Sequence, residues 1–237
     1  MLAHPDPKTV YIGGGGELAT AREVLRHKSL EKCVMVDLDK LVVDTSKEML
    51  PEWGAGVTDD PRLELHYTDA HAFLKEDERT YDVIIMDIAD PIEAGPGYVL
   101  YTQEFYQYAT TKLSPGGILV TQSGAASVHL KHECFTVIHK TLKSVFENVA
   151  YMVADIPSFG CNWGFNLASD GDELLLADIR RKDPAITDEQ IASRIEGELR
   201  FYDGTAHLGL FGSPKWLRAA IESEKRIMTV DEPVFMY

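Results

Sequence analysis

Apolar residues along this chain fall into short continuous runs, separated by stretches with helical spacing. Lys8-Thr9-Val10-Tyr11-Ile12 reads as a strand and leads straight into Gly13-Gly14-Gly15-Gly16. From about residue 17 to 27, Leu18, Ala21 and Leu25 share one helical face. Cys33-Val34-Met35-Val36 is a second buried run, ending at Asp37, and residues 41–50 are helical until Pro51 breaks them. Leu63-Glu64-Leu65-His66-Tyr67 alternates as a strand does, and Asp69 and a helix from Ala70 follow it. Val83-Ile84-Ile85-Met86 is again a buried run, ending at Asp87. A loop rich in proline and glycine covers residues 89–97, and an aromatic helix is predicted over 98–112. Ser114-Pro115-Gly116-Gly117 turns into Ile118-Leu119-Val120-Thr121, a long helix follows over about 130–146, and residues 149–154 and 164–168 read as closing strands. Strands alternating with helices predict an α/β fold with a doubly wound, mostly parallel sheet. The tail from Asp183 onward differs: a helix near 187–195, a strand at 199–202 and a short helix after Pro214, packing back on the domain.

Composition narrows the picture. The chain has 237 residues, 45% of them hydrophobic, enough for one large core. No stretch approaches the roughly 20 apolar residues of a membrane span. The opening Met1-Leu2-Ala3-His4-Pro5-Asp6-Pro7 lacks the pattern of a signal peptide, so a cytoplasmic location is the expectation. Cys33, Cys134 and Cys161 have no regular spacing, which argues against a disulfide framework, and no Cys-x-x-Cys or His-x-x-x-His pair points to a metal. His129 and His132 read as a solvated helix start. The net charge of −15 disfavours nucleic acid and anionic membranes as partners and suits a polycationic ligand.

In an open α/β sheet, ligands bind beyond the carboxyl ends of the strands. Acids stand there in series: Glu17, Asp37, Asp69, then Asp87 with Asp90. Glycines 13–16 let backbone approach a ligand closely, and Asp37 stands where an acid accepts from both ribose hydroxyls. Glu17 occupies the place where a pyrophosphate needs a donor, and its carboxylate repels phosphate. A dinucleotide is therefore disfavoured; a nucleoside carrying a cation, such as an S-adenosyl group, fits. Asp87 and Asp90 sit three residues apart where a strand becomes a loop. One of such a pair can take a proton while the other holds a cation.

Gly13-Gly14-Gly15-Gly16-Glu17, Arg22-Glu23-Val24-Leu25-Arg26-His27, Val36-Asp37-Leu38-Asp39 and Asp82-Val83-Ile84-Ile85-Met86-Asp87-Ile88-Ala89-Asp90-Pro91 resemble the motifs of the spermidine synthase family. The resemblance continues through Leu113-Ser114-Pro115-Gly116-Gly117, Thr121-Gln122 and Ile156-Pro157-Ser158-Phe159, and so covers roughly the whole chain in order. Within the family it is closest to thermospermine synthases. Ala89 replaces the usual Ser of spermidine synthases, Glu93-Ala94-Gly95-Pro96 continues the loop in the thermospermine manner, and Asn162-Trp163-Gly164-Phe165 departs from their Pro-Ser-Gly-Gln run. Leu2–Lys8 resembles the end of the segment that follows the family's N-terminal β-rich domain, so the expectation is a chain without that domain.

The resemblance implies the Rossmann-like fold of S-adenosylmethionine-dependent methyltransferases, with a catalytic domain over residues 1–180 and a helical extension over 181–237. It implies an aminopropyltransferase that uses decarboxylated S-adenosylmethionine as co-substrate, needs no cofactor or metal, and passes the aminopropyl group to spermidine, giving thermospermine or spermine. Asp37 would bind the ribose, Asp69 the adenine amino group with Ala70 beside it, and Glu17 the aminopropyl ammonium. Asp87 would orient the amine and accept its proton, Asp90 would fix the substrate's charge, and Gln122 and Phe159 would line the amine channel. Trp163 and Tyr98 are weaker channel candidates. Tyr202 and Asp203 are read as core-edge packing. The resemblance leaves a homo-oligomer open, since family dimers often use N-terminal contacts. Two readings compete: a small-molecule methyltransferase using S-adenosylmethionine, and an inactive truncated polyamine-binding homologue.

Overall fold

A computed structural model describes residues 1–93, 95–171, 179 and 182–236. Ala94 and the expected domain boundary at 180/181 lie outside the described residues. β1 (Thr9–Gly14), β2 (Lys32–Asp37), β3 (Leu63–Tyr67), β4 (Tyr81–Asp87), β5 (Leu113–Ala125), β6 (Asn148–Ile156) and β7 (Cys161–Ser169) form one sheet in the order β3-β2-β1-β4-β5-β7-β6. β1 to β5 pair in parallel, and β7 runs antiparallel to both of its neighbours. Strands buried on both faces carry continuous apolar runs, as Val10–Ile12 and Cys33–Val36 do. β6 and β7 differ because a short 3-10 turn, Pro157–Phe159, followed by Gly160 at φ 68°, joins them as a hairpin, and a tight connection pairs strands antiparallel.

Helices cover both faces. Tyr11, Val34, Ile84 and Leu119 pack under α3 (Ala70–Glu76), α4 (Gln103–Thr110) and α5 (Phe135–Lys143) through Leu74, Phe105 and Ile138. Val10, Ile12, Cys33 and Val83 pack under α1 (Ala19–Leu25) through Ala21, Val24 and Leu25. α2 (Lys40–Met49) buries only Val43 and leaves Leu41 exposed.

Four stretches depart from the sequence pattern. The aromatic stretch is two elements: a 3-10 turn over Pro96–Tyr101, then α4. Thr102 separates them because its extended backbone turns its hydroxyl onto the Phe105 amide as a cap, 3.3 Å. α5 is shorter than predicted, since residues 128–134 form turns. Residues 199–202 are not a strand. Instead the Arg26 guanidinium takes the carbonyls of Glu196 (2.9 Å) and Glu198 (2.7 Å) around Gly197 at φ 74°, and His27 forms an isolated bridge to Ile195. Beyond α6 (Pro184–Arg194), the tail holds α7 (Gly204–Phe211), which the pattern did not suggest, and α8 (Lys215–Ser223). Asp203 caps α7 through the Ala206 amide, 2.7 Å.

After α8 the chain runs as a strap over α4 and α5. The Met228 amide donates to Thr141 Oγ1 (2.9 Å), the Met228 carbonyl accepts from the Gln103 amide (2.8 Å), and the Met236 amide reaches the Pro91 carbonyl (2.8 Å). Its far end therefore lies beside the loop that follows β4.

Candidate active site

β1 and β4 are neighbours in register, Gly14 opposite Asp87. The loop after β1 folds onto the end of β4, where the Gly15 amide donates to the Asp87 carbonyl, 2.9 Å. Gly14 (φ 86°) allows this approach: a Cβ there would stand 2.1 Å from that carbonyl oxygen. Leu18 holds φ 71°, the one positive value at a non-glycine among the described residues. Its amide bonds the Gly15 carbonyl at 2.7 Å, and its buried side chain sits against Gly54, where a Cβ would come within 2.7 Å of Leu18 Cδ1. A left-handed leucine costs about 1–2 kcal/mol, and such strain collects at functional loops.

Three carboxylates meet this loop. Asp37 Oδ2 lies 2.9 Å from the Cβ position of Gly16, while its Oδ1 accepts from the Asp39 amide at 2.8 Å. Asp87 Oδ2 lies 3.4 Å from the Cβ position of Gly15 and accepts the Thr20 hydroxyl at 2.5 Å. Glu17 is half-buried on the loop itself. Burial first, then the negative charges of Asp87 and Asp37, push its carboxyl above the usual range. A cation placed here would offset the mutual repulsion of these carboxylates.

β3 ends beside β2, where the Thr68 amide takes the Asp37 carbonyl at 3.1 Å. Asp69 follows; it is exposed, and it caps α3 through the Ala72 amide, 2.7 Å. Ala70 is buried, and its carbonyl is already taken by the Tyr11 hydroxyl, 2.7 Å. Leu38, which follows Asp37, and Leu41 are more than half exposed, and Val42 Cγ1 lies 3.0 Å from the Gly16 Cβ position. Val42, the apolar side chain against the glycine loop, was not singled out in the sequence.

Beyond β4 the arrangement changes. Gln122 lies near the end of β5, where an irregularity in the pairing with β7 falls between Gln122 and Ala125 and Gly124 adopts φ 80°. Gln122 Oε1 accepts from Trp163 Nε1 (2.9 Å) and the Gly124 amide (3.0 Å). Its Nε2 faces the Ile88 carbonyl (2.9 Å), Asp90 Oδ1 (3.0 Å) and the Tyr101 hydroxyl (2.5 Å). Indole N–H only donates and an ionised carboxylate only accepts, so this set fixes which end of the amide is which. The Tyr101 hydroxyl in turn faces the Ile88 and Ala89 carbonyls at 3.3 and 3.1 Å. These partners saturate the Gln122 amide, which holds Asp90 and Trp163 in place. Burial raises the Asp90 carboxyl, and the Gln122 N–H opposes that rise.

Phe159 is 56% exposed on the turn between β6 and β7, its ring 4.4 Å from that of Trp163. Tyr98 packs edge-on against Phe235, 5.7 Å between centroids. Met236 Sδ and Asp90 Oδ1 lie 4.0 and 3.9 Å from the Cβ position of Gly124. The strap thus flanks this side of the site. Neither the strap nor Tyr101 carried a signal in the sequence; for Thr20 the signal was its place three residues after Glu17, on the first turn of α1. Tyr202 bonds His207 Nδ1 at 2.5 Å and lines, with Ile85, Val120 and Leu167, a cavity of about 480 Å³ on the sheet's face rather than at the strand ends. Among the described residues no group of three or more His, Cys, Asp or Glu is placed to hold a metal ion, and no helix is long and apolar enough to cross a membrane.

Residues 1–176 match the model of the spermine/spermidine synthase domain. The chain is 43% identical over 239 aligned positions to a polyamine aminopropyltransferase of Sulfolobus acidocaldarius, covering 98% of this chain and 77% of the relative. It is 39% identical to a thermospermine synthase of Arabidopsis thaliana, covering 100% of this chain and 68% of the relative. Among solved structures, spermidine synthase from Thermotoga maritima superposes with a TM-score of 0.78 at 26% identity, covering 94% of this chain and 71% of that one. A spermidine synthase in complex with the transition-state analogue AdoDATO gives 0.77, with the same identity and coverage.

Proposed function

The chain belongs to the spermine/spermidine synthase family, and from that premise we propose that it transfers the aminopropyl group of decarboxylated S-adenosylmethionine to spermidine, giving thermospermine or spermine and methylthioadenosine. The observation that carries this reading is the gathering of Glu17, Asp37 and Asp87 around one glycine loop, with burial and neighbouring charge both raising Glu17. A site built this way favours a bound cation. Decarboxylation leaves the donor with an ammonium and no carboxylate, so Glu17 attracts this donor and repels the intact one. Asp37 Oδ2 is the oxygen turned to the loop and takes the ribose hydroxyls. Leu38 and Val42 flank the base, and Asp69, beside Ala70, takes the adenine amino group with the carboxylate oxygen that does not cap α3.

The acceptor's amines are mostly protonated at neutral pH, with reference values near lysine's ~10.4. The site must present one nitrogen with its lone pair free while the others stay charged. That lone pair attacks the methylene next to the sulfonium; the carbon–nitrogen bond forms as the carbon–sulfur bond breaks. The bonding pair goes to sulfur, which leaves as the neutral thioether of methylthioadenosine. The new ammonium gives its proton to Asp87. Asp90, held by Gln122, pairs with a remaining ammonium, and Phe159, tilted against Trp163, supplies an aromatic rim for the chain between nitrogens. No step calls for a cofactor.

The test is a product assay. The purified chain is incubated with the decarboxylated donor and either putrescine or spermidine, and chromatography resolves spermidine, spermine, thermospermine and methylthioadenosine. The proposal expects methylthioadenosine together with a tetraamine from spermidine. Turnover of putrescine alone would replace the acceptor assignment, and no methylthioadenosine with any amine would remove the proposal.

A further inference from the structure

Asp87 has two oxygens and unequal surroundings. Oδ2 is pressed against the loop, 3.4 Å from the Cβ position of Gly15, and takes the Thr20 hydroxyl at 2.5 Å. No described residue makes a hydrogen bond to Oδ1. The neighbouring charges on the loop and on β2, Glu17 and Asp37, are both negative, and the nearby cation Arg22 turns its guanidinium to Glu23 (2.9 Å) and to the Trp53 carbonyl (2.7 Å). Thr20 is thus the side chain that fixes the Asp87 carboxylate. It is also well fixed itself: it lies on the first turn of α1, whose start is set by the Gly15–Leu18 hydrogen bond at 2.7 Å and whose inner face, Ala21, Val24 and Leu25, is buried.

From this geometry we infer that Thr20 is a positioning residue: its hydroxyl holds Oδ2 of Asp87 against the glycine loop and leaves Oδ1 directed to the acceptor amine. The inference rests on the proposed role of Asp87. Without the hydroxyl, the carboxylate faces two like charges and no donor, and it turns away from the loop. A carboxylate held within about 10–20° of its working orientation is what a proton transfer requires, and a tether to a rigid helix turn supplies it. Thr20 touches neither the donor cation's partner Glu17 nor the ribose partner Asp37 in any hydrogen bond, so its effect falls on the chemical step and not on donor binding.

The experiment compares Thr20→Val, which keeps the shape, with Thr20→Ser, which keeps the hydroxyl. Steady-state rates are read with the decarboxylated donor and spermidine, and crystal structures of the wild-type chain and both variants are solved. The expected result is a fall in kcat of about 10- to 100-fold for the Val variant. The donor KM stays within about threefold, and the Ser variant recovers most of kcat. In the crystals, the Asp87 carboxylate keeps its place in wild type and Ser variant and turns off the loop in the Val variant. Equal kcat in all three, equal impairment of Val and Ser, or an unmoved carboxylate in the Val variant would overturn the inference. If the wild-type chain transfers no aminopropyl group, the functional reading fails, and the crystal comparison still decides whether Thr20 sets the carboxylate.

Discussion

On the β1–β2 side of β4, acids stand directly at strand ends and on the first loop; on the β5–β7 side, a single acid, Asp90, is held by a relay of neutral groups. Glu17, Asp37 and Asp87 need only the sheet to bring them together, because neighbouring parallel strands end at one edge. Asp90 needs Gln122 from β5, Trp163 from β7 and Tyr101 from the turn before α4, joined by hydrogen bonds of 2.5 to 3.0 Å. On the proposed reading, the donor side is built by topology and the acceptor side by side-chain chemistry. This suits their tasks: a nucleoside site is fixed by strand ends, whereas an amine channel must set length and charge spacing, which a replaceable network can adjust.

The largest expected effect comes from the acid both sides share. Asp87→Asn keeps the shape and removes the proton acceptor, so kcat falls about 10²- to 10⁴-fold. Rapid-quench measurement of methylthioadenosine checks it, and an unchanged single-turnover rate would end the assignment of Asp87.

Gln122→Leu breaks the acceptor side alone. It strands the Trp163 N–H, the Gly124 N–H and one oxygen of Asp90 in a buried place, at about 1–3 kcal/mol for each group left unsatisfied. The spermidine KM rises about tenfold or more, the donor Kd by calorimetry does not move, and the thermal midpoint falls. A matching loss of donor affinity would show that the two sides are not separable.

The smallest expected effect concerns the strap that reaches the acceptor side. Glu224, only 6% exposed in its side chain, ends α8 and accepts from Thr136 Oγ1 (2.8 Å), Arg226 Nη2 (2.7 Å) and Arg226 Nε (3.0 Å). Burial alone would raise its carboxyl; the Arg226 hydrogen bonds outweigh it and bring the carboxyl down to about 2. A carboxyl depressed in the folded state stabilises it above the unfolded value near ~4.3, and that stabilisation is lost as pH falls toward about 2. Since Arg226 is half exposed, the contribution is about 1–2 kcal/mol. Glu224→Gln then lowers the thermal midpoint by about 3–6 °C at pH 7, and the gap to wild type closes near pH 2. A gap that persists there would assign the effect to packing.

The same contrast explains what could be read in the sequence. Apolar runs ending in Asp37 and Asp87 placed two acids at strand ends, because strand burial and strand ends leave a period and a boundary in the chain. The seven-stranded, mostly parallel sheet followed from the same runs. The tail did not: Leu199–Tyr202 looks like a strand through its β-prone residues, but Arg26, far away in sequence, takes the preceding carbonyls and leaves it irregular. The sequence pointed to Gln122 as a channel residue and not as a tether, since its five partners come from four separate segments. Asp69 was legible as an acid after a strand, and its use as the cap of α3 is a second role the same position serves.

Donor discrimination tests the central claim most directly. Calorimetry compares the binding of decarboxylated and intact S-adenosylmethionine to the wild-type chain and to Glu17→Gln across pH. The account predicts that wild type prefers the decarboxylated donor by about tenfold or more at pH 7. It also predicts that this preference fades on acidification at a pH above the ordinary carboxylate range, because burial and the charges of Asp87 and Asp37 raise Glu17, and that Glu17→Gln lacks it at every pH. Equal affinity for the two donors in the wild-type chain, or a preference that survives in Glu17→Gln, would contradict it.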